Sequence, residues 1–117
     1  MRVYEPGAIE VRVQATPGVR PPAGRNLPVS YDPDLGVSVV LAARKHDEAK
    51  SSRRDMSTET WAYDLAADEW RNIPSATLPF GLGMNYNMEY AHGYGAHLLV
   101  ADPPGKPPEV WALKLTA

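Results

Sequence analysis

The segment WAYDLAADEW, residues 61–70, holds Tyr63 and Trp70 with six residues between them, and Asp64 and Asp68 flank the short link. Side chains alternate along TWAYDL, the period of an extended strand that turns one face inward. Folding the chain back over the Asp-containing link puts Tyr63 and Trp70 on one face of a two-stranded hairpin, where cross-strand aromatics meet. Strands are therefore expected over 60–65 and 69–73. Just upstream, YDPDLGVSVVLAA, residues 31–43, reads as another hairpin. Its strands run over 27–31 and 36–43, and the Asp, Pro and Gly between them are turn formers. The second of these strands is dense in β-branched and aliphatic residues and reads as buried on both faces.

The pattern recurs. Displaced by 59 positions, the sequence matches itself without gaps: Tyr4 on Tyr63, Ala8 on Ala67, Glu10 on Glu69, Arg12 on Arg71, Gly24 on Gly83, Asn26 on Asn85, Tyr31 on Tyr90, Gly36 on Gly95 and Ala42 on Ala101. Nine residues are then lost from one loop, and the match resumes at a displacement of 50, with Trp61 on Trp111, Ala62 on Ala112 and Leu65 on Leu115. A repeated supersecondary unit is the physical reading of such self-similarity. Each unit holds up to four strands, a to d. Strand a lies over 27–31 and 86–90, b over 36–43 and 95–101, c over 60–65 and 110–115, and d over 69–73, matched near the start by 9–14. The order along the chain is c-d, a-b-c-d, a-b-c.

Composition agrees with short strands and many turns. Twelve prolines and nine glycines in 117 residues leave little room for long helices. With 44% hydrophobic and 22% charged residues, the chain has enough apolar surface for a modest core. A net charge of -2 gives no electrostatic pull toward nucleic acid or an anionic membrane, so neither is expected as a partner. No apolar run approaches the ~20 residues that cross a bilayer, and the N-terminal stretch lacks the apolar core of an export signal. Cysteine is absent, which excludes disulfides, thiolate metal sites and thiol nucleophiles.

WAYDLAADEW and YDPDLGVSVVLAA resemble the kelch repeat, and the resemblance extends over nearly the whole chain. It implies an all-β fold: a segment of a kelch-type β-propeller with four-stranded antiparallel blades and an incomplete ring. Residues 1–16 would supply strands c and d of a preceding blade, 17–73 a complete blade, and 74–117 a second blade lacking its last strand. Tyr31, Trp61, Tyr63, Trp70, Tyr90 and Trp111 would pack blades together. Kelch blades commonly end strand b on two glycines, where this chain has Ala42-Ala43 and Ala101-Asp102; Val11 and Leu113 stand where an aromatic is usual. A small β-sandwich with aromatic hairpins is the alternative arrangement of the same strands. Open blade faces and sheet edges call for a partner, either blades on another polypeptide or further copies of this chain.

Two clusters are candidates for binding or chemistry. Alternating strand direction brings the b-c loops (44–57 and 102–108) and the d-a loops (17–25 and 74–83) to one face. In the longest, RKHDEAKSSRRD, Arg44, Lys45, His46, Arg53 and Arg54 form a candidate contact patch for an acidic protein partner, against the plainer reading of a solvated loop of mixed charge. The second cluster is Tyr86, Glu89, Tyr90, His92, Tyr94 and His97. A zinc or copper site needs three or four converging ligands, and two histidines five apart across a turn do not specify that convergence. No metal or other cofactor is expected; Tyr90 would pack and His92 face solvent. Ser30, Ser38, Ser51, Ser52, Ser57 and Ser75 lie in no GxSxG elbow, and Asp32, Asp34 and Asp64 sit where turns use Asx hydrogen bonds. No catalytic residue is expected. The expectation is a non-enzymatic structural or protein-interaction module. The alternatives are part of a propeller enzyme, with Glu89, His92 and His97 contributing, or a carbohydrate-binding surface built on the tryptophans.

Overall fold

A computed structural model describes residues 2–4, 11–13, 19–22, 24 and 27–115. Strands β1 (Arg2–Tyr4) and β2 (Val11–Val13) pair antiparallel as a two-stranded sheet. A four-stranded antiparallel sheet follows in chain order: β3 (Val29–Asp32), β4 (Val37–Lys45), β5 (Met56–Asp64) and β6 (Glu69–Asn72). Then comes a three-stranded one, β7 (Asn87–Ala91), β8 (Ala96–Ala101) and β9 (Glu109–Leu113). The chain is all-β, its sheets are antiparallel and open, and no α-helix occurs among the described residues. Two, four and three strands is the order expected from the repeat. Of the strand expected over 9–14, positions 9, 10 and 14 lie outside the described residues, as do 17, 18, 23 and 25 of the loop expected over 17–25.

Three hairpin turns share one device. Asp32 pairs with Val37, Asp64 with Glu69 and Ala91 with Ala96, so each turn has four residues. The fourth is left-handed every time: Gly36 at φ +68°, Asp68 at +52° and Gly95 at +64°. Glycine takes that conformation freely and Asp tolerates it. Asp68 is held there by the Tyr63 hydroxyl, which donates to its Oδ1 over 2.6 Å. In the first turn Asp32 Oδ1 accepts from the backbone N–H groups of Asp34 and Leu35, and in the second Asp64 Oδ1 accepts from Ala67 N–H. These Asx bonds are the turn role expected of Asp32 and Asp64.

The core lies between the two larger sheets. Val39 and Leu41 of β4 face Leu99 and Ala101 of β8 and Leu113 of β9. Leu78, Phe80 and Leu82 of the connector between the sheets are wedged in with them. Threonines fix this connector. Thr58 and Thr60, fully buried on the inner face of β5, donate to Phe80 O (2.7 Å) and Ala76 O (2.6 Å), and Thr58 also exchanges backbone hydrogen bonds with Leu78. The expected d-a loop over 74–83 is therefore in large part a core element.

Two expectations about the strands change. β4 runs on to Lys45 and β5 begins at Met56, so the ladder continues through Arg44↔Ser57 and Lys45↔Met56 and takes up most of the charged loop's flanks. Arg44 is held in this extension by its bidentate hydrogen bonds to Glu59. β4 is buried on both faces from Val39 to Ala42, but in β8 Leu98 and Val100 are 43% and 41% exposed. The first sheet covers only one face of the second.

Candidate functional site

Hairpin register sorts the side chains of both sheets into faces. On the first sheet Val39, Leu41, Thr60 and Ala62 face the second sheet, whereas Tyr31, Val40, Trp61, Tyr63 and Trp70 face away from it. Tyr63 and Trp70 stand directly opposite each other, ring centroids 4.8 Å apart, as the hairpin reading requires. Trp61 is buried and its indole N–H donates to Glu59 Oε1 at 3.0 Å; Tyr31 is exposed. On the second sheet Tyr90, Leu99, Trp111 and Leu113 share the face turned to the first, and Leu98, Val100, Val110 and Ala112 share the opposite, exposed face.

The sequence repeat maps these faces onto each other. Tyr31, Val40, Trp61 and Tyr63 correspond to Tyr90, Leu99, Trp111 and Leu113. Val39, Leu41, Thr60 and Ala62 correspond to Leu98, Val100, Val110 and Ala112. Thus the front of the second sheet packs on the back of the first, and the second sheet's own back, with Val110 70% exposed, carries apolar residues in the positions that are covered on the first. Such an exposed apolar sheet face is the usual mark of an association surface.

A polar bridge joins the inner strands of the two sheets. Fully buried His97 lies between Ser30 Oγ, 2.7 Å from Nδ1, and Asp32 Oδ2, 3.1 Å from Nε2. With its proton on Nε2 the ring donates to Asp32, and Nδ1 and the Ser30 hydroxyl satisfy each other. A hydrolytic serine needs its oxygen open to substrate, and Ser30 is buried and lines neither cleft described below. Next to the bridge, the Tyr90 ring packs against His97 at 5.0 Å and against exposed His92 at 5.1 Å, and its hydroxyl donates to Asp34 Oδ2. That hydrogen bond, with desolvation and the charges of Asp34 and Asp32, pushes the phenol up to about 12. The structure thus brings His97 to Ser30 and Asp32 but leaves His92 apart. No group of three metal-ligating side chains forms among the described residues.

The five basic residues of the charged loop separate. Arg44 is a bidentate partner of Glu59, at 2.7 and 3.1 Å. The hydrogen bond raises the arginine's pKa and holds the Glu59 carboxyl below the ordinary glutamate range. His46 Nε2 meets Ser57 Oγ at 2.9 Å, and Lys45 is exposed at the end of β4. Arg53 turns inward: Nε donates to Gly81 O (2.9 Å), and Nη2 to Asp102 O and to Asp102 Oδ1 (2.9 Å). It thereby ties the b-c loops of both sheets to the connector. Gly83 leaves room for this clamp, since a Cβ there would stand 2.9 Å from Arg53 Cζ.

Of the five, Arg54 lines an open groove. Its volume is about 470 Å³, and Phe80, Pro103, Pro104 and Lys106 line it as well. A second open cleft, about 370 Å³, lies where Val37, Ala62 and Arg71 of the first sheet meet Lys114 and Leu115 beyond β9. Lys106 escaped sequence reading because a single lysine in a short proline-rich loop carries no signal. The sequence signal that bears on it is the shared face of the two b-c loops, 44–57 and 102–108. Trp111 packs its ring on Phe80 at 6.4 Å, and its indole N–H has no hydrogen-bond partner among the described residues.

No protein-family model, no curated protein and no solved structure matches this chain.

Proposed function

We propose that this chain is a non-enzymatic structural and protein-interaction module, a segment of a kelch-type β-propeller. In this reading residues 1–16 give two strands of one blade, 17–73 a complete blade and 74–117 three strands of the next. The supporting observation is the head-to-tail stacking of two sheets in register with the sequence repeat, front of one on back of the other. A relation of that kind does not close on itself in a pair; it continues, and forms a ring where the rotation between sheets closes. The exposed back of the second sheet, Leu98, Val100, Val110 and Ala112, then receives the front of a further sheet from another chain or another copy.

Light scattering over a range of concentrations tests the reading. The chain is expected to associate, and Val110→Asp, which sets a charge on the exposed apolar face, is expected to shift it toward monomer while keeping its β-sheet spectrum. A compact monomer at ~100 µM, the range in which weak protein contacts still populate, would count decisively against the need for a covering sheet.

A further inference from the structure

We propose that the groove between Arg54 and Lys106 binds an acidic protein segment, one that carries carboxylates on either side of an apolar side chain. The inference rests on the reading of the chain as a protein-interaction module, but not on association through the sheet face.

Charge is the first ground. Arg44 and Arg53 are already matched by Glu59 and Asp102, whereas Arg54 and Lys106 have no carboxylate partner among the described residues. The two unmatched cations sit on one groove although they come from different sheets' loops, 52 positions apart in sequence. Charge-assisted hydrogen bonds to carboxylate are the contacts such groups are free to make.

Shape is the second. Phe80, 7% exposed, lines the groove together with Pro103, Pro104 and the two cations, and these three residues are its apolar floor. Prolines offer no N–H and hold their backbone in place, so the floor is formed before a ligand arrives. Arg54 is placed by Gly105, in the left-handed region at φ +70°, where a Cβ would come within 2.4 Å of Nη2. The guanidinium lies against a turn that only glycine leaves open, and the turn itself is closed by Lys106 N–H to Pro103 O at 3.2 Å. A cavity of this size and lining takes one apolar side chain with its neighbours. Nucleic acid fits less well. The floor presents no exposed aromatic ring for a base, the groove has two cations, and the chain as a whole is negative.

The test is titration of the isotope-labelled full chain, followed by amide NMR, with the blocked hexapeptide Glu-Asp-Phe-Leu-Asp-Glu. Its amide isostere Gln-Asn-Phe-Leu-Asn-Gln, a hexaglutamate and a short single-stranded oligonucleotide serve as comparisons. Saturable binding with shifts concentrated at the amides of 53–55, 78, 80, 81, 105 and 106 is expected. The isostere and the hexaglutamate should bind at least about tenfold more weakly, the loss of roughly one charge-assisted contact or of the apolar anchor. Arg54→Gln with Lys106→Gln should weaken the acidic peptide by a similar factor or more, and Lys106→Gln alone by less. Both variants change exposed side chains, and their amide spectra report directly that the fold is kept. No saturation at millimolar peptide, equal binding of the isostere or the oligonucleotide, or unchanged affinity in the double variant would each overturn the proposal. Val110→Asp should bind the peptide like the parent chain, so failure of sheet-face association and failure of this groove are told apart.

Discussion

His97 shows how much one side chain carries when it is buried between sheets. Replacing it by leucine leaves the Asp32 carboxylate and the Ser30 hydroxyl in the interface without their partner, and stability should fall by about 2–4 kcal/mol. Urea denaturation reads this directly. Adding Asp32→Asn removes the stranded charge while keeping an Asx acceptor for the turn, so the double variant should lose less than the two single losses summed. Tyr90 offers a spectroscopic test in the same place. Because its hydroxyl donates to Asp34, phenolate absorbance should show a step near 12 from Tyr90, missing in Tyr90→Phe and moved down toward the ordinary value, about 10, in Asp34→Asn. Arg44 and Glu59 contribute on the acid side. The glutamate's pKa is lowered on folding, so its contribution is present above the unfolded value, about 4.3, and is lost as pH falls through the lower folded one. Arg44 is 45% exposed, so Arg44→Gln should cost at most about 1 kcal/mol at neutral pH, and the difference from the parent should vanish in acid.

At the scale of the element, the recurrent four-residue turn and the threonine-bound connector do the organising. Gly36 has nothing within 4 Å of where a Cβ would stand, so Gly36→Ala tests backbone conformation alone. It should cost about 1 kcal/mol. Asp68→Gly relieves the same strain but gives up the bond from Tyr63, whereas Asp68→Ala keeps the strain and loses the bond, so the alanine variant should be the less stable of the two by thermal melting. On β5, Thr58→Val and Thr60→Val each remove a donor from a connector carbonyl and should cost about 1–2 kcal/mol. Faster hydrogen exchange at 76–81 would accompany the loss, since the connector's backbone depends on these contacts.

Over the whole molecule, the governing fact is that two sheets stack front to back and leave a back uncovered. The buried face of the first sheet and the exposed face of the second have matching positions in the repeat, yet Leu41 is fully buried and its counterpart Val100 is 41% exposed. That difference comes from position in the stack, not from residue type. Val110→Asp should therefore leave the stability of an isolated chain almost unchanged, within the ±0.5 kcal/mol usual for surface sites. The same substitution at the matching buried position, Thr60→Asp, should unfold the chain, because a carboxylate there would be fully buried against the Ala76 carbonyl oxygen. Comparing the two by denaturant titration measures directly whether the second sheet's back is free in solution.

The sequence alone determined the hairpins, their order and their alternation, because each depends on contacts between residues close along the chain: Asp32 to Gly36, Tyr63 to Trp70, Ala91 to Ala96. It also determined which positions of one sheet answer to which of the other, since the repeat preserves side-chain parity. Only the tertiary structure decided what those faces touch. Nothing in SSRRDM separates Arg53 from Arg54, neighbours of identical chemistry; one finds Asp102, 49 positions away, and the other points into a groove with Lys106. Likewise 74–83 reads as a d-a loop running from Pro74 to Gly83, and Leu78, Phe80 and Leu82 became core because two sheets closed over them. Burial and charge pairing are set by distant segments meeting in space, and local pattern carries no record of that meeting.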